Sequence, residues 1–419
     1  TSTRTPKIQL KFTYNLDTDV VTTRANNTGS SVVQTAGYAK LTCAAAAKAY
    51  AALVSQDAVA YNPGQGIVGL GTAAFLNGGV ALSTQLWGFG ETDEGFFFGY
   101  NGTAFGILHR SGGSQAIKEL TITNVATAGG NITITLDGVA VNVAITNGWT
   151  VAQTCEAIVN ATSQALFDDA GRGWFPHCDD DNRIEFLSFM SEAPAGAFTF
   201  AAGGTGVAGV FANLVVGVAP TDTWVAQTSW NIDTMAGAGP SALVLNPTKL
   251  NVYTIQYQFL GAGAIKFWIE NPTTGAPNLV HVIRRAGTAT TPSVLNPNFP
   301  LSLQLSTDAA YAGAALEART ASMAAFTEGI ETELTTPYST SVSKTMTTTQ
   351  QVLAIIQSDL DFNSKVSHID VFPSLLMLST ETAKSLEVIL WENPTRIVGG
   401  ATLTAINANL SVIKTGSTG

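Results

Sequence analysis

The sequence predicts a mainly β protein: an antiparallel β-sandwich of the jelly-roll kind with a small α+β domain inserted into it. Three observations carry that expectation. Short apolar runs broken by glycine fill Tyr61 to Gly113 and return from Thr223 onward, the grammar of an antiparallel sandwich with frequent turns. Glycine is abundant, at 40 residues, and threonine is frequent, a bias that favours turns and pleated strands over helices. Between the two glycine-broken stretches the pattern changes to clean alternation followed by one helical period.

Taken in order, residues 1–60 read as an N-terminal arm and first strands. Lys7-Ile8-Gln9-Leu10-Lys11-Phe12 alternates with period two and a polar Thr/Asn/Ser stretch follows, so the first 35 residues are expected to lie extended, gaining order on a neighbour. The alanines of Leu41 to Val54 favour helix by propensity, but the flanking pattern is strand-like and the segment is read as strand. Residues 61–117 together with 223–325 form the expected sandwich core. Within it Asn101-Gly102 suits a two-residue hairpin turn, because both tolerate positive φ.

Residues 118–222 form the expected insert. Leu120 to Thr123 and Asn131 to Leu136 alternate cleanly, and Asp137-Gly138 turns the chain into Val139 to Val143. Thr150-Val151-Ala152-Gln153 fits a capping box. Val151, Cys155, Ile158, Val159 and Leu166 then mark the apolar stripe of a helix. Strands are expected at Arg183 to Phe189 and Ala197 to Phe200. Beyond the insert, Asn251 to Phe259 and Gly263 to Ile269 pair around Leu260-Gly261-Ala262. Residues 326–419 read as a C-terminal β region, with strands at Gln351 to Gln357, Val366 to Val371, Leu386 to Trp391 and Ala408 to Ile413.

Composition narrows the function. Hydrophobic residues are 45% of the 419 and charged residues only 12%, well below the usual charged share. Such a chain suits a protein whose surface is largely covered by other subunits, since charge is depleted at interface cores. Net charge is −10, from 20 basic and 30 acidic residues, and the densest basic spot is Arg284-Arg285. A phosphate backbone needs clustered Lys and Arg, so no nucleic acid partner is expected. No apolar run reaches the length of a membrane span, and Thr1 to Leu10 has no signal-peptide pattern. Cys43, Cys155 and Cys178, an odd count without CxxC spacing, point to folding in a reducing cytoplasm.

The segments Tyr61-Asn62-Pro63-Gly64-Gln65-Gly66, Gly95 to Gly102 and Leu108-His109-Arg110-Ser111-Gly112-Gly113 resemble, in that order, motifs of a virion protein family. That family, found in tailed bacteriophages and large DNA viruses, comprises tail-fibre-like and structural proteins. The likeness continues through Trp230-Asn231-Ile232-Asp233, Gly237 to Ser241, Leu245 to Lys249 and Tyr253 to Ile265. It extends through Ile269 to Pro272, Val280-His281 and Thr291-Pro292-Ser293 to Asn296 to Leu301. Together these cover roughly 61–113 and 228–305. In the family pattern a short link joins the His-Arg-Ser-Gly-Gly stretch to the Trp-Asn-Ile-Asp stretch; the long interval here fits an inserted domain. The insert itself resembles small modules on tail-sheath and capsid-associated proteins. The resemblance implies a non-enzymatic virion component, tail fibre, receptor-binding or capsid-associated. It would be made in the host cytoplasm and would partner copies of itself, in fibres commonly as a trimer, and other virion proteins. Host attachment implies a host-surface glycan as a further partner. It brings no catalytic residues and no cofactor.

Each chemically suggestive group also has a plainer reading. His177-Cys178-Asp179-Asp180-Asp181 is the densest run of metal-ligand types, but no second Cys/His pair sits at ligand spacing and no EF-hand glycine and glutamate follow; a solvated loop is expected. His109, His281 and His368 lie in or beside strand-like segments without a nucleophile elbow. Cys155 belongs to the helix stripe. Glu91, Asp93 and Glu94 could in principle pair for glycoside cleavage, though an acidic loop explains them. Gly203 to Gly206 and Gly237 to Gly239 lack the Lys-Ser/Thr of a phosphate loop. Trp87, Trp224, Trp230 and Trp268 are expected mainly in the core, with sugar stacking as the alternative. Asn26, Asn101, Asn131, Asn160 and Asn409 lie in glycosylation sequons, which chance in so Thr/Asn-rich a chain explains equally well. The rival functions are a carbohydrate-binding adhesin, signalled by coplanar exposed aromatics, and a glycan hydrolase, signalled by a cleft with two carboxylates.

Overall fold

The computed structural model describes residues 4–26, 29–165, 173–180 and 182–329, with short stretches at 355–358, 360–362, 364–367, 404–405 and 413–416. In chain order the first strands are β1 (Arg4–Lys11), β2 (Val21–Ala25), β3 (Ser31–Thr35), β4 (Tyr38–Cys43) and β5 (Tyr50–Ser55). They are followed by β6 (Gly66–Phe75), β7 (Ser83–Gly90), β8 (Gly95–Asn101) and β9 (Ala104–Ser111). The insert contributes β10 (Ile117–Ile122), β11 (Gly130–Leu136), β12 (Val139–Ile145), α1 (Val151–Ala165), β13 (Trp174–Asp180), β14 (Arg183–Ser188), β15 (Thr199–Ala201) and β16 (Gly209–Val215). The chain returns with β17 (Thr221–Ala226), β18 (Asn251–Tyr257), β19 (Ile265–Glu270), β20 (Pro277–Ile283), β21 (Leu301–Thr307), β22 (Leu316–Thr320) and β23 (Ser322–Glu328).

Two antiparallel sheets make the sandwich. One runs β17-β9-β8-β7-β21-β5-β2. The other runs β20-β19-β18-β6, where long β6 is flanked on its far side by β23 and β1 along one half and by β22, β4 and β3 along the other. Strands on either side of the insert pair directly: β6 with β18, β7 with β21, β9 with β17. The stretches 61–113 and 223–305 are therefore one sandwich. The turn after β8 is Gly102-Thr103, one residue later than the Asn101-Gly102 reading, because Asn101 still pairs with Ala104.

Alternation decides which side chains meet in the middle. From β6, Ile67, Gly69, Gly71, Ala73 and Phe75 face inward, and the two glycines sit under the rings of Phe89 and Trp87. A Cβ on Gly71 would lie 2.9 Å from Trp87 Cζ2, so the missing side chain lets the indole lie against the opposite sheet. Around it Trp87 and Tyr253 have centroids 5.7 Å apart, Phe98 and Tyr253 4.9 Å, and Phe89 and Tyr257 5.4 Å. Buried aromatics in such edge and offset contacts supply the largest apolar area a core of this size can gain.

The N-terminal segment corrects the extended-arm expectation. β1 pairs with β23 and β2 with β5. Ile8, Leu10, Phe12 and Val21 lie in the main core. The two-residue alternation that suggested an arm is the inner face of a sheet strand. At the other end β23 crosses the expected boundary at 325/326 and pairs with both β1 and β6. Further on, Ile355–Ser358 and Thr404–Ala405 pair with Ile413–Gly416, and Asp361–Phe362 with Lys365–Val366. The strand expected at Leu386 to Trp391 lies outside the described residues.

The insert is a lobe with its own core. β13-β14-β10-β16 and β12-β11-β15 are separate sheets, joined by α1 over Leu120, Ile132, Ile134, Ile158, Ile184 and Phe186. Asp137 and Gly138 both have positive φ, 51° and 88°, as a tight hairpin turn demands. The capping box is formed: the Gln153 N–H donates to Thr150 Oγ1 at 3.3 Å and the Thr150 N–H to Gln153 Oε1 at 3.0 Å. Cys155 and Ile158 face the core as the stripe requires.

The lobe docks on the outer face of the seven-stranded sheet. Phe189 stacks edge-on against Tyr50 at 4.5 Å and joins Ala52 and Val54 in a small cluster. Arg24 of β2 lies over Phe189 and Phe175, 5.0 and 5.3 Å from their centroids, and pairs with Glu91. Thr92 Oγ1 donates to the Phe189 carbonyl at 3.1 Å.

Candidate functional site

The ionisable residues of the motif segments are spent on holding loops. Glu94, 3% exposed, accepts the N–H groups of Gly112 (2.9 Å), Leu295 (2.8 Å) and Asn296 (2.8 Å), so one carboxylate clips the end of β9 to the loop before β21. Glu91 pairs with Arg24, and Asp93 Oδ1 caps the Glu94 N–H at 2.8 Å. The three acidic residues thus serve separate structural bonds, which argues against their use as a glycosidase pair. Arg110 grips Asp222 through Nε and Nη2, each at 2.8 Å, tying β9 to β17, a bidentate geometry of the strong kind.

Asp233 is buried and accepts the N–H groups of Met235 and Ser241 and the Asn278 amide. Burial pushes its carboxyl up, but the bonds from Ser241, Met235 and Asn278 outweigh it and hold the pKa below the ordinary 3.8. His109 bonds the Ser293 carbonyl at 2.7 Å and stacks on Phe96. The Asn231 N–H donates to His281 Nδ1 at 3.2 Å. Burial lowers the pKa of both histidines below the usual 6.5, so both imidazoles are neutral packing groups near neutral pH. His368 lies outside the described residues.

The other candidates are also dispersed. His177 to Asp180 end strand β13, paired with β14, rather than sitting on the expected solvated loop, and the described residues contain no cluster of metal-ligand side chains. Cys43 and Cys155 are buried thiols outside any disulfide, and burial pushes the Cys43 thiol up to about 12, outside the reactive range. Trp87 and Trp230 are buried in the main core. Trp224 packs on Leu86, Phe97 and Leu108, on the outer face of one sheet. Trp268 is half-buried on β19 in the other sheet. These four tryptophans therefore form no coplanar platform. Gly203, Gly204, Gly206 and Gly237 all have positive φ, the signature of turns. Arg285 bonds the Thr291 carbonyl within its own loop at 3.0 Å.

One surface feature has the dimensions of a ligand site. A groove of about 420 Å³ lies between the Thr248–Leu250 loop and the start of β4, with Ala74, Leu76 and Arg319 on its floor and wall. Arg319 stacks on Tyr38, 4.8 Å from the ring centroid. Its Nε and Nη2 both bond Glu317 Oε1, at 2.6 and 2.5 Å, while Lys40 lies 3.5 Å from Glu317 Oε2. Lys249 is exposed and makes no ion pair among the described residues. These residues come from four separate segments, and none belongs to a chemical motif. Thr248 and Lys249 fall in the Leu245 to Lys249 stretch, but nothing in that stretch points to the other three segments, so no sequence signal marked the groove.

No family model matches this chain, and no curated protein matches it. Solved structures with partial likeness include the metal-free carbohydrate recognition domain of Emp46p, at 9% identity and TM-score 0.29, covering 77% of this chain and 96% of that one. A legume lectin-like domain from Entamoeba histolytica aligns at 10% identity and TM-score 0.28, covering 77% and 97%. Peanut lectin bound to a nine-residue peptide aligns at 9% identity and TM-score 0.27, covering 78% and 99%. Likeness this low leaves function to be argued from the chain's own residues, whose fold is the β-sandwich described above.

Proposed function

We propose that this chain is a non-catalytic structural subunit of a virus particle, fibre-like or capsid-associated, that works by contact with copies of itself and neighbouring proteins. One observation carries its assembly part. Exposed apolar side chains lie along β16 and the segment after it: Val210 is 64% exposed, Val216 64% and Val218 50%. β16 is also the outer strand of its sheet. An edge strand with apolar side chains is a template for pairing with another chain unless something covers it. The use of Glu94, Asp233, His109 and His281 as loop-holding groups supports a role without catalysis, and the ordered motif resemblance supports the particle setting.

Sedimentation of the purified chain tests this. The expected result is a concentration-dependent oligomer at micromolar concentration, dispersed by joint Val210→Lys and Val216→Lys substitution. A stable monomer would defeat the proposal. A second reading, a carbohydrate-binding attachment module, is favoured by the Tyr38–Lys249–Arg319 groove, whose size matches small-ligand sites. The two readings are compatible in one subunit, with the lobe edge making assembly contacts and the groove facing a host-surface glycan.

A further inference from the structure

We propose that the groove between Tyr38, Lys249 and Arg319 binds an acidic saccharide, a sugar ring carrying one carboxylate; this rests on the glycan-binding reading above. Charge is the first ground. The chain as a whole carries −10, yet the groove is lined by two cations, Lys249 and Arg319, and no carboxylate, and behind it Lys40 and Arg319 share Glu317. The local balance is positive and favours an anion. Glu317 already takes Nε and Nη2 of Arg319, so what remains is the Arg319 Nη1 edge and the Lys249 ammonium. That residue of charge fits a monoanion better than a doubly charged phosphate.

Shape and polarity select a sugar over a bare ion. The Tyr38 ring pins the guanidinium plane at 4.8 Å, so the donor is held in place before a ligand arrives, reducing the ordering cost of binding. Leu250, 54% exposed, and Leu76 and Ala74 give the groove an apolar side, which an inorganic ion cannot use but the C–H face of a pyranose can. Thr248 Oγ1 donates to Asn246 Oδ1 at 2.7 Å and keeps its lone pairs for a ligand hydroxyl. A carboxylate at Lys249 and Arg319 with the ring laid on Leu250 uses every wall.

Saturation-transfer NMR and calorimetry on the full chain test the assignment with glucuronic acid, N-acetylneuraminic acid, glucose and sodium sulfate as probes. The expected result is saturable binding of the two acidic sugars and none of glucose or sulfate. Lys249→Ala should weaken binding about tenfold or more, the worth of a charge-assisted hydrogen bond, and Lys249→Arg should retain it. Leu250→Asp, which sets a carboxylate on the apolar wall, should abolish it, while Arg284→Ala on a distant loop should leave it unchanged. Sulfate competing as well as glucuronate would reduce the site to an anion site and overturn the sugar class. Sugar binding untouched by Lys249→Ala and Leu250→Asp would keep the glycan reading and overturn this site. Failure of every sugar to bind would remove both.

Discussion

The sandwich and its inserted lobe solve the same problem, a closed apolar core, by opposite means. The sandwich is assembled from distant pieces: β1 pairs with β23, so Ile8 lies beside Ala325, and β21 sits between β5 and β7. Its centre is aromatic, with Trp87, Phe89, Phe98, Tyr253 and Tyr257 packed ring to ring. The lobe turns one hairpin on Asp137-Gly138, pairs its central β10 with the distant β14 and β16, and fills its core mainly with isoleucine, leucine and valine under one capped helix. Both regions must close long loops before their central contacts form, and what separates them is that no strand of one pairs with a strand of the other. The difference teaches that the lobe is an addition with its own sheets and its own aliphatic core.

The root of the insert makes that separation testable, and excision is the largest perturbation. Ser111 of β9 and Thr221 of β17 are paired neighbours, so deleting the residues between them leaves two strands that a short turn can rejoin as a hairpin. The shortened chain should keep a β-type circular dichroism spectrum and one cooperative unfolding transition. It should also be less soluble than the parent, because Tyr50, Ala52 and Val54 lose their cover from Phe189. Restoring solubility with Val54→Thr and Ala52→Ser would confirm that the cost is surface exposure. A spectrum without cooperative melting would show instead that the sandwich needs the lobe to fold.

Single core truncations sharpen the same contrast. Trp87→Ala removes the ring that fills the space beside Gly71 and should cost about 3–5 kcal/mol, lowering the melting of the whole chain. Ile158→Ala, at a fully buried helix position, should cost about 2–5 kcal/mol but only within the lobe. Residue-level hydrogen exchange then reads the outcome. Loss of protection confined to 117–215 in Ile158→Ala, against loss throughout in Trp87→Ala, is expected; equal loss in both would mean the two cores form one cooperative unit.

The same contrast explains what was legible in the sequence. Lobe signals are local, so the Thr150–Gln153 cap, the 137–138 turn and the Cys155–Ile158 stripe could be read directly. The sandwich strands were legible singly, from glycine-broken apolar runs, but the partners were not. Nothing within Lys7 to Phe12 announces that Ser322–Glu328 lies beside it, and for that reason an edge-forming strand read as an arm. His177 to Asp180 read as loop because charged side chains hide a strand whose backbone pairs with β14. The groove was invisible for the same reason as the β1 partner: Tyr38, Leu76, Lys249 and Arg319 are ordinary residues until the fold brings their four segments together.

The smallest expected effect lies at the seam between the two regions, and it decides whether they communicate. Arg24 reaches from the sandwich into lobe aromatics while keeping an ion pair at home, with Phe189 and Phe175 at 5.0 and 5.3 Å and Glu91 as its carboxylate partner. Its guanidinium is partly shielded, at 18% side-chain exposure, so the ring contacts are worth more than in open solvent; each contributes about 0.5–1 kcal/mol. Arg24→Met keeps the stem packed and removes the charge, and Arg24→Lys keeps the charge but loses the planar face that stacks. Both should lower coupling by about 1–2 kcal/mol without unfolding either region. In differential scanning calorimetry the expected signature is a single transition in the parent that broadens or splits in Arg24→Met. High salt screens the Glu91 pair, which lies within the sandwich, and should leave the parent's transition single. A variant whose transition stays single and unmoved would show that Tyr50 against Phe189 and the Thr92 hydrogen bond hold the lobe by themselves, leaving Arg24 as a solvating cover for the seam.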